Sequence, residues 1–263
     1  MGTGYTSSRG ASQDKAIRAA FDHPESYAGL YEGVSFQAYL FQERIRLVLG
    51  LIGEREGGKV LDVGCGPGMM ARRLVEGKWN VFGLDMSPEM VRECRDDIGR
   101  SDRSAFLSGR LESLPFKEGA FDAVLGMGVL EYVADTQGAL AELARVTKPG
   151  GLLVVTMLNR VSPWAVCHRL NNWIRFFRRR LTGQPATRPP RLKLLSEAGL
   201  RRPMESVGLS PLDVVFYGFH LFPSPLAVRM PRRAIGISSG LDALLGNHLT
   251  CLRGAFIVRA RKQ

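Results

Sequence analysis

The sequence predicts an α/β protein built on a doubly wound, mostly parallel sheet with helices on both faces. The first observation is Val60-Leu61-Asp62-Val63-Gly64-Cys65-Gly66-Pro67-Gly68, an apolar run that passes into glycine at every second position. Unbroken apolar character is what a strand covered on both faces requires. Glycines at 64, 66 and 68 then strip β-carbons from the turn, so backbone amides can approach a ligand. The second observation is Asn80-Val81-Phe82-Gly83-Leu84-Asp85, another apolar strand, which ends in a carboxylate. A carboxylate about twenty residues past such a turn can accept both hydroxyls of a ribose. The third is the alternation of strand and helix patterns joined by short loops, which demands parallel pairing.

In chain order, residues 1 to 14 are rich in Gly, Ser and Thr and lack the apolar content of a packed segment. Lys15 to Tyr31 reads as a helix and loop carrying Phe21, Tyr27 and Tyr31, and with the preceding residues it forms an N-terminal tail and helical cap, 1–40. Apolar spacing supports a helix over Ala38 to Glu54. Strand Lys59 to Val63 is followed by a helix from Met69 to Gly77 and by strand Asn80 to Asp85. Ser87-Pro88 supplies an N-cap and a first-turn proline for a helix Glu89 to Ile98. Phe106 to Gly109 and Ala123 to Met127 are the third and fourth strands. A helix from Thr136 to Thr147 stops at Lys148-Pro149-Gly150-Gly151, and Leu152 to Met157 is the fifth strand. Ser162 to Leu181 repeats apolar residues at three-to-four spacing, Trp164, Cys167, Leu170, Ile174, Phe177 and Leu181, with arginines over much of the remainder. Ser196 to Val207 reads as a helix weakened by Gly199 and Pro203. Leu212 to Tyr217 is a sixth strand, Phe219 to Thr250 a Pro-bearing apolar insertion, and Gly254 to Ala260 the seventh strand.

The 263 residues suit one domain with a full-sized core. The four cysteines, at 65, 94, 167 and 251, form no Cys-x-x-Cys pair and no metal spacing, so no metal is expected and a reduced cytoplasmic setting is. No apolar run approaches a membrane span, and the N-terminus is polar rather than signal-like. The charge is local. From Asn159 to Pro203 eleven Lys and Arg face one acid, Glu197, so this segment supplies +10 of the formal +11.

Five blocks in order carry a resemblance: Leu61-Asp62-Val63-Gly64-Cys65-Gly66-Pro67-Gly68; Gly83-Leu84-Asp85-Met86-Ser87-Pro88-Glu89-Met90; Leu111-Glu112-Ser113-Leu114-Pro115-Phe116; Phe121-Asp122-Ala123-Val124 with Val129-Leu130-Glu131-Tyr132-Val133; and Leu143-Ala144-Arg145-Val146-Thr147-Lys148-Pro149-Gly150-Gly151. Over roughly residues 58 to 158 the chain resembles the class I S-adenosylmethionine-dependent methyltransferases, in the group that methylates small molecules and quinones. The resemblance implies a Rossmann-like sheet of seven strands with the last antiparallel, an N-terminal cap closing over the site, and helical insertions. Domain limits follow: cap 1–40, cofactor-binding core 41–158, a basic amphipathic insertion or lid 159–195, and 196–263 completing the sheet with a second insertion at about 219–250.

It also implies S-adenosyl-L-methionine as cofactor, with S-adenosyl-L-homocysteine as product. Main-chain groups around Gly64 and Gly66, with Gly68 and with Asp62 nearby, would hold the methionine tail. Asp85 would hold the ribose and Met86 the adenine face, with Arg110, Leu111, Glu112 and Met127 completing the cofactor site. Arg110 departs from the family pattern, which often has Asp or Asn there to accept from the adenine amino group. Arginine has no acceptor, so the backbone of Leu111, or Glu112 or water, must substitute. Tyr132 stands where relatives frequently carry His, and a phenol is a poorer base at neutral pH. Tyr132, His168 and His220 are the catalytic candidates, Glu131 is a further candidate base, and Tyr27, Tyr31 and Trp164 are the substrate candidates. The predicted reaction moves a methyl group to O, N or C of a hydrophobic isoprenoid, polyketide or quinone-like molecule. Alternatives stay open: a pericyclic or binding protein that keeps the cofactor, an RNA or protein methyltransferase, and an NAD-binding protein, which accounts for Asp85 but not for the later blocks. The basic insertion has three readings, a lid over a greasy pocket, a contact with an anionic membrane surface, and a nucleic-acid grip.

Overall fold

The computed structural model describes residues 17, 34–99, 102–170, 173, 192–219, 229–245 and 248–263. Its core is a seven-stranded sheet in the order β3-β2-β1-β4-β5-β7-β6. The strands are β1 Lys59–Val63, β2 Asn80–Asp85, β3 Ser104–Ser108, β4 Phe121–Gly126, β5 Thr147–Leu158, β6 Leu209–Phe219 and β7 Arg253–Lys262. All neighbours pair in parallel except those of β7, which slots antiparallel between β5 and β6. The helices are α1 Phe36–Ile52, α2 Met69–Glu76, α3 Pro88–Ile98, α4 Thr136–Val146, α5 Glu197–Ser206 and α6 Pro231–Leu245.

Side-chain alternation along the strands sorts the core into two layers. Leu61, Val63, Val124, Leu153, Val155, Phe256 and Val258 pack on one face with Leu140 and Leu143 of α4 and Leu200 and Met204 of α5. Val60, Ala123, Leu125, Val154, Ala255 and Ile257 pack on the other with Val48 and Ile52 of α1, Leu74 of α2 and Cys94 of α3. Each such aliphatic side chain contributes about 1.5–3 kcal/mol when fully buried. A buried charge on either face would therefore be exceptional, and α1 carries one, Arg44.

Helix starts follow their caps. The Oγ of Ser35 accepts from Ala38 N, that of Ser87 from Met90 N, and that of Ser196 from Gly199 N, while Asp135 accepts from Gln137 N. Each cap contributes about 1 kcal/mol. Pro203 sits inside α5 without an amide to donate. The helix persists because Leu200 and Met204 beside it are fully buried.

Two sequence expectations shift. β5 absorbs the Lys148 to Gly151 turn, because Thr147 already pairs with Phe121 of β4. The second insertion, which had no helical pattern, forms α6. Its anchor is tertiary: Arg253 Nη1 donates to Asp242 Oδ1 of α6 at 2.7 Å and to Phe216 O at 2.6 Å, and its guanidinium lies 4.5 Å over the Phe219 ring. The basic insertion is helical over 163–170 and at Trp173. Residues 171–172 and 174–191 of the insertion, and the cap apart from Ile17 and residues 34–40, lie outside the described residues.

Candidate active site

The carboxyl ends of β1, β2 and β4 open onto a cavity of about 320 Å³, within the size range of small-ligand sites. The bend after β1 forms its floor. Gly64 (φ +73°) and Gly66 (φ +54°) adopt left-handed backbone. Both Gly64 N, at 2.7 Å, and Cys65 N, at 3.2 Å, donate to Leu84 O, stitching the bend to the end of β2. A β-carbon on Gly64 would meet Val129 Cγ1 at 2.1 Å, so the loop after β4 rests directly on the glycine backbone.

Gly68 departs from its expected role. It does not line the cavity; it caps α2 with φ +95°, and its missing β-carbon makes room for Cys94 Sγ of α3, which would lie at 2.7 Å. Its job is helix packing.

Asp85 is held ready at the tip of β2. Its Oδ2 accepts from Gly66 N at 3.0 Å and its Oδ1 from Ser87 N at 2.9 Å. A carboxylate accepts about four hydrogen bonds, so these two orient it without exhausting it. Around it the cavity is lined by Met86, Arg110, Leu111, Glu112 and Met127, the set expected from the sequence. Arg110 Nη2 pairs with Glu112 Oε1 at 3.3 Å, both side chains near half exposure. The two charges thus satisfy each other at the rim.

Behind the bend the electrostatics are unusual. Asp62 is 1% exposed, does not reach the cavity wall, and neither carboxylate oxygen has a hydrogen-bond partner among the described residues. Burial, with Asp85 adding to it and Arg44 opposing, pushes its carboxyl up to about 7. Glu131, on the loop after β4, lines the cavity and is 4% exposed, with Oε2 unpartnered among the described residues. Burial likewise pushes it up to about 7, against backbone hydrogen bonds and Arg44. Arg44 enters from α1, with its guanidinium 4.7 Å over the Phe41 ring, and also lines the cavity. The loop bearing Glu131 is braced from outside: Lys193 N donates to Glu131 O at 2.7 Å, and Lys193 Nζ donates to Ala134 O and Thr136 Oγ1, each at 2.8 Å. Asp62 and Glu131 thus both feel the charge of Arg44, while Asp85 adds to the negative charge around Asp62.

Tyr132 lines the cavity, but burial and neighbouring Glu131 push its phenol up to about 12, so it does not serve as a base near neutrality. His168 and Trp164 are not brought in. They stack on each other at 4.9 Å and do not line the cavity, and burial lowers the imidazole. Tyr27, Tyr31 and His220 lie outside the described residues. The sequence reading missed Arg44 and, among other residues of the wall, Ile17, Gln37, Phe41, Val129, Leu158 and Leu192. Arg44 had a signal: it occupies the inward slot between Ala38 and Val48 on a helix whose other buried positions are apolar.

Residues 61–155 match the family model described as methyltransferase domain. The chain is 32% identical over 155 residues to malonyl-(acyl-carrier protein) O-methyltransferase of Serratia marcescens, covering 58% of this chain and 56% of that protein. It is 34% identical over 158 residues to demethylmenaquinone methyltransferase of Beutenbergia cavernae, covering 56% and 64% respectively. The chain thus spans a little over half to just under two thirds of these relatives. A solved structure of magnesium protoporphyrin IX methyltransferase from Synechocystis, with bound SAH, superposes with a TM-score of 0.67 at 17% identity, covering 95% of this chain and all of that one, a likeness of fold. Block order, sheet order and the bend beside an oriented acid agree with the match of residues 61–155 to the methyltransferase domain model.

Proposed function

We propose that the protein is an S-adenosyl-L-methionine-dependent methyltransferase that transfers a methyl group to O, N or C of a hydrophobic small molecule. The observation that carries this reading is Asp85, fixed by the amides of Gly66 and Ser87 at the cavity edge. It would take the ribose hydroxyls, with Met86 against the adenine and Leu111 beside it. Main-chain groups around Gly64 and Gly66 would hold the methionine tail, with Asp62 buried behind the bend. When bound, the sulfonium supplies an electrophilic methyl group.

The chain's own part is alignment and exclusion of water, which can lower a barrier by several kcal/mol. Phe41, Val129, Leu158 and Leu192 give the cavity an apolar wall for the acceptor. Glu131, whose carboxyl burial pushes up to about 7, takes the proton where the acceptor must lose one. Tyr27 and Tyr31 of the cap remain the proposed aromatic lining. An acceptor of quinone, isoprenoid or polyketide type fits this wall, and the demethylmenaquinone methyltransferase similarity supports that class. The protein works in the cytoplasm, with peripheral contact to anionic bilayers. No helix among the described residues is long and apolar enough to cross a membrane.

Titration with labelled S-adenosylmethionine and, separately, NAD tests the cofactor, followed by assay for S-adenosylhomocysteine with an extract of lipophilic metabolites. Asp85→Asn should weaken cofactor binding about tenfold to a hundredfold, the loss of charge-assisted bonds. Tight NAD binding without S-adenosylmethionine binding would refute the assignment. Cofactor binding without turnover across such extracts would favour a pericyclic or binding role.

A further inference from the structure

The first insertion leaves and rejoins the fold at the cavity. Leu158, the last residue of β5, and Leu192, where the described chain resumes, both line it. The two ends are tied together: Arg160 N donates to Leu195 O at 3.0 Å and Leu195 N to Leu158 O at 3.3 Å. The two ends of the insertion therefore sit at the cavity wall.

Its described part is anchored but not covered. Ser162 Oγ accepts from Ala165 N at 3.2 Å, and Ser162 and Ala165 are fully buried. Val161, Val166, Leu170 and Trp173 in contrast are 56 to 62% exposed. The last three follow i, i+4, i+7 spacing, which places them on one helical face. Arg160 and Arg169 are exposed beside them.

The second insertion rises from the same corner. Asn159 Nδ2, fully buried, donates to Thr250 O at 3.0 Å and to Arg253 O at 2.9 Å. Next to Thr250, Leu249 is half exposed; on α6, Ile237 and Leu244 are exposed at i, i+7, and Met230 sits among exposed Arg229, Arg232 and Arg233. Apolar side chains open to water cost free energy, and patches of them on a soluble protein mark interaction sites. Of these, Val161, Val166, Leu170 and Trp173 lie in the stretch 159–203 that holds +10 of the chain's formal +11 charge.

We propose that Val161, Val166, Leu170 and Trp173, beside the exposed Arg160 and Arg169, dock into the headgroup layer of an anionic membrane and bring the cavity wall against the bilayer. Aliphatic and indole groups enter the interface while guanidinium groups meet lipid phosphates, the division of labour of an interfacial helix. A nucleic acid would satisfy the arginines but leave three aliphatic side chains in water. Docking stands apart from the methyl-transfer reading; direct entry of a lipophilic acceptor from the bilayer rests on it.

The test is co-sedimentation of the full chain with phosphatidylglycerol-rich vesicles and with neutral phosphatidylcholine vesicles. The protein should pellet with the former, less at high salt, and Trp173 emission should shift to the blue on binding. Val166→Glu with Leu170→Glu, and separately Arg160→Glu with Arg169→Glu, should each weaken binding about tenfold, and Trp173→Phe should abolish the emission shift. All these side chains are exposed, so unchanged melting temperatures are expected, and a Leu170→Ser variant should also weaken binding. No pelleting with anionic vesicles, or full pelleting of Val166→Glu with Leu170→Glu, overturns docking. So does retention on duplex DNA or single-stranded RNA without vesicle binding. Vesicles report docking without cofactor or acceptor, so failure here leaves the enzyme assignment to be decided separately, by S-adenosylhomocysteine titration.

Discussion

Replacing Gly64 by alanine probes the contact on which the cavity floor depends. Two costs arise from different physics. Alanine at φ +73° takes a left-handed conformation that costs about 1–2 kcal/mol. Its β-carbon, built at 2.1 Å from Val129 Cγ1, cannot be accommodated without displacing the loop after β4, and overpacking of this kind costs about 1–3 kcal/mol. The sum, about 2–5 kcal/mol, is a large part of the roughly 5–15 kcal/mol that stabilises an ordinary domain. Urea unfolding followed by fluorescence would measure it. A double-mutant cycle separates the parts: Val129→Ala should recover the steric share of about 1–3 kcal/mol in the Gly64→Ala background and leave the backbone share. Gly64→Ala within about 0.5 kcal/mol of the parent, or no recovery on removing the Val129 methyls, would refute the packing argument.

The buried carboxylates make stability depend on pH. Asp62 moves from 3.8 in the unfolded chain to about 7 when folded, so between those values the folded protein binds the extra proton. Stability therefore falls as pH rises through that window, by at most roughly 4 kcal/mol from this residue; Glu131, raised from 4.5 to about 7, adds a slope of the same sign. Asp62→Asn should flatten the fall, measured by denaturation from pH 5 to 8, while weakening S-adenosylhomocysteine binding; a parent curve that rises over this range contradicts the assignment. Arg253→Met removes the bonds to Asp242 and Phe216 O and leaves a half-buried carboxylate on α6. A loss of about 2–4 kcal/mol is expected, with faster amide exchange over Pro231–Leu245 and partial recovery in a variant that also carries Asp242→Asn; unchanged exchange would show that α6 is held by other contacts.

By itself the sequence determined the parts whose causes are local. β1 and β2 appear with their observed limits because apolar runs and the glycine turn are short-range signals, and Ser87-Pro88 marks the start of α3 without outside help. Asp85 was legible because strand end and acid lie in one run. Tertiary structure decided the rest. Gly64 and Gly68 share one motif, yet one yields to Val129 and the other to Cys94, partners distant in the chain and set beside them by folding. α6 contains Gly236 and Gly240, which argue locally against a helix, and Arg253 on β7 holds it in place. Arg44 looks like a surface charge until α1 packs against the sheet and turns it toward Asp62 and Glu131. Propensity and periodicity act over a few residues, whereas charge pairing and close contact act through space, and only the order of strands in the sheet determines which distant residues become neighbours.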